Sequence, residues 1–119
     1  MTEGSGRLVM DALPFHAYID RRNGTNVVVV AGELDMASAH VLRPLLADAE
    51  ADDRARLVLD LGELTFIDVS GLHVIEEAAD RAGRHGRPLT AVPPRQWIKQ
   101  VFEITGVASH LEWLDDRAL

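Results

Sequence analysis

A chain of 119 residues, 47% apolar and 26% charged, has the usual size and composition of one domain with one core, and lacking cysteine it excludes a disulfide scaffold. Its net charge of −7 sets it against phosphate backbones and anionic lipid, which argues against direct nucleic-acid or membrane binding. Apolar runs such as Val27 to Ala31 are far too short to cross a bilayer, and residues 1–14 carry no long apolar stretch of a secretory signal, so the chain reads as soluble and cytoplasmic.

Residues 1–13, MTEGSGRLVMDAL, are expected as a flexible N-terminal segment whose Leu8, Val9 and Met10 form a short covering patch, with a single domain over 14–119. Aromatic and β-branched residues from Phe15 to Asp20 predict a strand, and Asn23-Gly24 supplies a tight hairpin turn. The partner strand, Asn26 to Gly32, contains an unbroken VVVVA run, which predicts burial on both faces between layers of helices. Gly32-Glu33-Leu34-Asp35 ends it.

Ser38 then reads as the N-cap of a helix to about Ala51, with Ala39, Leu42, Leu45, Leu46 and Ala49 facing the core. Pro44 conflicts with that helix. An interior proline removes a hydrogen bond at a cost of about 3 kcal/mol, so the helix is expected to start late or to kink. Arg56 to Leu61 reads as a third strand, with Leu57, Leu59 and Leu61 on one face and Val58 on the other, and Gly62 to Phe66 as a loop.

Ile67 ends the buried approach to a second helix, from about Ser70 to Arg84, whose inner stripe is Leu72, Ile75, Ala78, Ala79 and Ala82. Gly86 and Pro88 close it. Leu89 to Val92 is a short fourth strand. Pro93-Pro94 opens a third helix that is expected to bury Trp97, Ile98, Val101, Phe102 and Ile104 and to stop at Gly106. Leu111 to Leu114 fits a last strand or the base of a terminal helix. The result is an α/β fold: a mostly parallel sheet of four to five strands, begun by an antiparallel hairpin, with helices packed on it.

Catalytic patterns are weak. Asp68-Val69-Ser70-Gly71-Leu72 lacks the glycine two residues before the serine that a hydrolase nucleophile elbow requires. His16, His40, His73, His85 and His110 show no paired metal spacing, no phosphate-cradling glycine motif is present, and no cofactor is implied. Asp60 ends a strand as a phosphoacceptor aspartate would. Yet Asp11 stands alone where an acidic pair would hold Mg²⁺, and Lys99, the sole lysine, falls within a helix. The remaining candidate is the start of the second helix, where Asp68 and Ser70 suit free N–H groups and Gly71 lets the backbone come close to whatever docks there. Val69 is an apolar residue between two polar ones at an exposed turn.

These residues resemble the STAS domain family, which includes the bacterial anti-sigma factor antagonists, over about residues 15 to 115. The resemblance rests on Gly32-Glu33-Leu34-Asp35, on Leu59-Asp60-Leu61 followed by Phe66-Ile67-Asp68-x-Ser70-Gly71-Leu72, and on Val101-Phe102-Glu103-Ile104-Thr105-Gly106-Val107. It implies a binding module without enzymatic activity, a monomer or weak homodimer. Its implied partner is an anti-sigma factor that is also a serine kinase of the histidine-kinase-like ATPase fold, and binding frees a sigma factor. The resemblance implies contact through Glu33, Asp35, Ser38, Asp68, Val69, Ser70, Gly71, Leu72 and His73. In the family the kinase phosphorylates a Ser or Thr right after the aspartate matching Asp68. Here that position is Val69, so docking is expected to escape phosphorylation control there; Ser70 as acceptor is the alternative. A second class is a STAS scaffold or regulatory subunit of a larger signalling or transport assembly.

Overall fold

Phe15–Arg22 (β1) and Thr25–Leu34 (β2) form the predicted hairpin in the computed structural model, which describes residues 14–114. The turn between them places Asn23 and Gly24 at positive φ, 35° and 80°, as a tight hairpin requires. The chain continues as α1 (Met36–Glu50), β3 (Arg56–Ile67), α2 (Val69–Arg84), β4 (Thr90–Val92), α3 (Gln96–Thr105), a 3₁₀ turn over Val107–His110 and β5 (Glu112–Trp113). The last segment is thus a strand. The expected N-terminal segment 1–13 and its Leu8–Met10 patch lie outside the described residues.

Spatial order equals chain order, β1-β2-β3-β4-β5, with only the β1–β2 pair antiparallel. Crossovers between parallel strands are right-handed, so three successive crossovers in one direction lay every helix on the same face. The main core accordingly joins Val28, Val30, Leu59 and Leu61 of the sheet to Leu42 and Leu46 of α1, Ile75 of α2 and Phe102 of α3. The opposite face holds a smaller cluster of Val27, Val29, Val58 and Val92, with Leu114 packed against it. This corrects the expectation of helix layers on both sides of the valine run. Both faces are indeed buried, but among the described residues helices cover only one.

Four further expectations change. Residues Gly62 to Phe66 are strand, not loop, because β2 runs on to Leu34 and β3 pairs with it throughout. Two bulges hide the alternation: from Val29↔Asp60 to Ala31↔Glu63, and again from Gly32↔Leu64 to Glu33↔Phe66, β3 advances one residue more than β2. The first helix is capped by Asp35, not Ser38, and it starts at Met36. A late start forced by Pro44 is therefore excluded, since the helix runs through Pro44 to Glu50. In α3, Ile98 and Phe102 are buried, whereas Trp97 and Ile104 are exposed, because only a narrow stripe of that helix meets the sheet.

Two ion pairs bolt α1 to α2. Arg81 grips Glu50 in a fork, Nε to Oε1 and Nη2 to Oε2 both at 2.9 Å, and Arg43 Nη2 reaches Glu77 Oε1 at 3.1 Å. The helices are thereby held side by side and their starts lie at the same end of the sheet. Inside, the Asn26 side chain donates to the Ala49 carbonyl at 3.1 Å, tying the C-terminal turn of α1 to β2.

Gly32 has φ 86°, and a Cβ there would fall 1.8 Å from the Pro14 carbonyl oxygen. Replacing it by alanine combines a strained backbone with a clash against main chain. Gly32→Ala is expected to destabilise the fold by about 1–3 kcal/mol, measured as a lower urea midpoint at unchanged m.

Candidate docking surface at the paired helix starts

The last residues of β2 and β3, Leu34 and Ile67, are register partners, so the two chains leave the sheet side by side. Each leaves through an aspartate and enters a helix. The Asp68 N–H donates to the Leu34 carbonyl at 3.1 Å, stitching the two exits together.

Both aspartates are N-caps with extended backbone. Asp35 Oδ1 accepts from the Ser38 N–H at 3.0 Å, and the Asp35 N–H donates to Ser38 Oγ at 2.8 Å, a reciprocal capping box with serine in the third helical position. The single Ser38 hydroxyl proton lies within reach of both the Glu33 carbonyl at 2.8 Å and Asp35 Oδ1 at 3.0 Å. Asp68 Oδ1 accepts from the Gly71 N–H at 3.1 Å. The Asp35 carboxyl is held below the usual carboxylate range, first by the Ser38 N–H and next by the Ser38 hydroxyl.

The residue following each cap is apolar and points to solvent. Val69 is 80% exposed and Met36 is 69% exposed, although both belong to types that normally fill cores. Phe66, register partner of Glu33, is exposed as well. The surface is therefore an apolar pair, Met36 and Val69, on two capped helix starts, with the carboxylates of Asp35 and Asp68 beneath and exposed Glu33 nearby.

The predicted site residues divide by burial. Glu33, Val69 and His73 are exposed, while Asp35, Asp68 and Ser70 are half-buried. Ser38, Gly71 and Leu72 are buried, so they build the surface from below. Gly71 corrects the sequence reading. A Cβ there would meet Leu34 Cγ at 2.6 Å, the Leu34 carbonyl oxygen at 2.9 Å and Ile67 Cγ1 at 3.0 Å. The close approach is thus to the protein's own core, not to a ligand. His73 Nε2 lies 3.3 Å from Glu77 on the next turn.

Met36, inside the stretch Glu33 to Ser38, and Phe66, inside the motif Phe66-Ile67-Asp68, are not singled out as contact residues by the sequence analysis. The signal for Met36 was its place after Asp35, the same as that of Val69 after Asp68. For Phe66 it was Phe-Ile, two large apolar neighbours in a half-buried strand, which only a bulge or an exposed ring accommodates. Ser70 makes no side-chain hydrogen bond among the described residues. Nor do any three His, Asp or Glu side chains among them converge as a metal site.

A family model described as Mlab, STAS domain, matches residues 18–114. The chain belongs to the STAS domain family. BtrV of Bordetella bronchiseptica, named as a candidate anti-sigma factor antagonist, is 30% identical over 91 residues, covering 76% of this chain and 78% of BtrV. The fold matches the crystal structure of an anti-sigma factor antagonist from Mycobacterium paratuberculosis with a TM-score of 0.74, at 24% identity over 83% of this chain and 84% of that one. It also matches part of the murine anion transporter Slc26a9, with a TM-score of 0.66 at 17% identity, over 79% of this chain and 16% of the transporter. No helix among the described residues of this STAS chain is long and apolar enough to cross a membrane.

Two outcomes follow for stability. Gly71→Ala is expected to cost about 1–3 kcal/mol through overpacking against Leu34, whereas Val69→Asp and Met36→Asp stay within about 0.5 kcal/mol of wild type in urea unfolding. Because the folded-state pKa of Asp35 is depressed, its contribution is present above the unfolded carboxylate pKa and lost as pH falls towards the folded value. Asp35→Ala is expected to flatten that acidic part of the stability profile, followed by thermal unfolding across a pH series.

Proposed function

We propose that this STAS chain is an anti-sigma factor antagonist, acting as one cytoplasmic module over residues 14–119. It docks a kinase-type anti-sigma factor through Glu33, Asp35, Met36, Asp68, Val69, Ser70 and His73, over a base built by Ser38, Gly71 and Leu72. The carrying observation is Val69, an apolar side chain 80% exposed on the first position of α2, directly after the capping Asp68. An exposed valine there contributes nothing to the core. Covered by a partner, it adds up to about 1 kcal/mol of apolar burial.

Family membership and the relative BtrV support the antagonist reading. The mechanism is steric and electrostatic. Two capped helix starts present a rigid apolar pair, and in relatives with a hydroxyl at the Val69 position a phosphate would add about −1.5 to −2 charge in its midst, beside a carboxylate. Val69 has no hydroxyl to modify, so docking persists in the presence of ATP. This chain then behaves as a permanently unphosphorylated antagonist.

A scaffold or regulatory subunit of a larger assembly is the second reading, favoured by the match to a small part of a membrane transporter. Co-purification separates the two. Wild-type chain is expected to capture one ATP-binding protein of kinase fold from native extract, and Asp68→Arg to lose it while remaining folded by circular dichroism. Capture of a multi-subunit particle or a transporter supports the second reading instead.

Incubation of the recovered partner and ATP with wild type and Val69→Ser tests the switch. Phosphate is expected on the introduced hydroxyl of the Val69→Ser variant and nowhere on wild type. Phosphate mapped to wild-type Ser70 overturns the absence of control.

A further inference from the structure

Pro44 sits inside α1, where it removes a backbone hydrogen bond, and its side chain faces solvent, so it fills no core space in return. It lies on a face of unusual composition. Of the exposed positions of α1, Met36, Ala37, His40, Val41, Pro44 and Ala47 carry no carboxylate, ammonium or guanidinium group, and Arg43 and Asp48 are the charged ones. On α2 the outward side is densely charged, with Glu76, Glu77, Asp80, Arg81 and Arg84. In a chain that is 26% charged, one helix keeps a bare strip along its length.

The borders of that bare strip are closed by charges that neutralise one another. Towards α2, Arg43 pairs with Glu77 at 3.1 Å; towards β1, Arg21 Nη2 pairs with Asp48 Oδ2 at 3.3 Å. The centre is mostly apolar, with His40 as its polar member, and such a centre with a polar, self-satisfied rim is the anatomy of a protein interface. Proline suits such a centre, because its ring is apolar and its backbone angle is already locked, so little freedom is lost on docking. The strip begins at Met36 and is therefore continuous with the Met36–Val69 pair. At that upper end Glu33 and Asp68 make no ion pair among the described residues.

We propose that the outer face of α1, from Met36 to Ala47, is the long axis of the docking surface and receives a partner protein bearing an apolar ridge. That ridge carries Arg or Lys at the end that meets Glu33 and Asp68. The occupant is assigned by charge: two carboxylates without a described counter-ion border the apolar strip at one end, in a chain of net charge −7. This inference rests on the docking reading above and adds the direction in which the interface extends and the chemistry of the opposing face.

The test uses the full chain and the purified ATP-binding partner that wild type recovers, with affinity from calorimetry and association rates from interferometry. Val69→Asp probes the helix start, Val41→Asp and Ala47→Glu probe α1, and Glu33→Gln probes the charged end. Expected are losses of affinity of about tenfold or more for Val69→Asp and about three- to tenfold for each α1 variant. The wild-type association rate falls as salt rises, and Glu33→Gln reduces that dependence.

If Val69→Asp weakens binding while both α1 variants bind like wild type, the extension along α1 is overturned and the docking reading stands. If Val69→Asp also binds like wild type, or no partner is recovered, the docking reading falls and the extension with it. An association rate indifferent to salt overturns the basic ridge. A dimer of this chain that Val41→Asp dissociates, with partner affinity unchanged, assigns the face to a second copy and overturns the proposal. Should Val41→Asp fail to fold, Val41→Gln gives the same reading.

Discussion

The pairing of Leu34 with Ile67 at the ends of two parallel strands is the constraint from which the paired helix starts follow. Because those residues are register partners, Asp35 and Asp68 leave the sheet together, and the Asp68 N–H is bonded to the Leu34 carbonyl at 3.1 Å. Gly71 then lets α2 lie directly on Leu34 and Ile67. A Cβ at that position would press on Leu34 and Ile67, so the packing of α2 on β2 would have to shift.

Beneath the surface lies a dense aliphatic core, with Leu34, Leu42, Leu46, Leu59, Leu61, Leu64 and Ile75 fully buried. Burial of that kind is worth about 1.5–3 kcal/mol for each large side chain and dominates the stability of the sheet-helix layer. The surface adds little to it. Val69 and Met36 lie outside the core, and the polar groups beside them satisfy helix N–H groups in place of water. The apolar tips sit on capped helix starts, the ion pairs between α1 and α2 join the two helices farther along, and the tips themselves remain uncommitted.

Much of this was legible in the sequence because local signals and tertiary demands agreed. Asn23-Gly24 specifies a hairpin, alternation of Leu57, Leu59 and Leu61 specifies a half-buried strand, and Leu72, Ile75, Ala78 and Ala79 specify one face of a helix. The Asp68 turn was recognisable because a cap, a small residue and an apolar stripe follow one another at fixed spacing. Disagreement arose where a local signal had two readings. Ser38 is as good a cap as Asp35 by composition, and the choice rests on backbone geometry that makes the serine the third helical residue and the aspartate the extended one. Gly62 to Phe66 resembles a loop because bulges destroy the alternation that marks a strand, although the pairing persists.

Residues close together in the chain specify the hairpin, the three helices, most of the strands and the apolar Val69 beside the capping Asp68, whereas the last segment is open to two readings and Gly62 to Phe66 reads as a loop. Three facts come from the fold alone: all three described helices share one face, Gly71 turns inward against Leu34, and Met36 and Val69 follow neighbouring strand exits. Those facts depend on crossover handedness and strand register, which bring together residues more than thirty positions apart and leave no periodic trace in the chain.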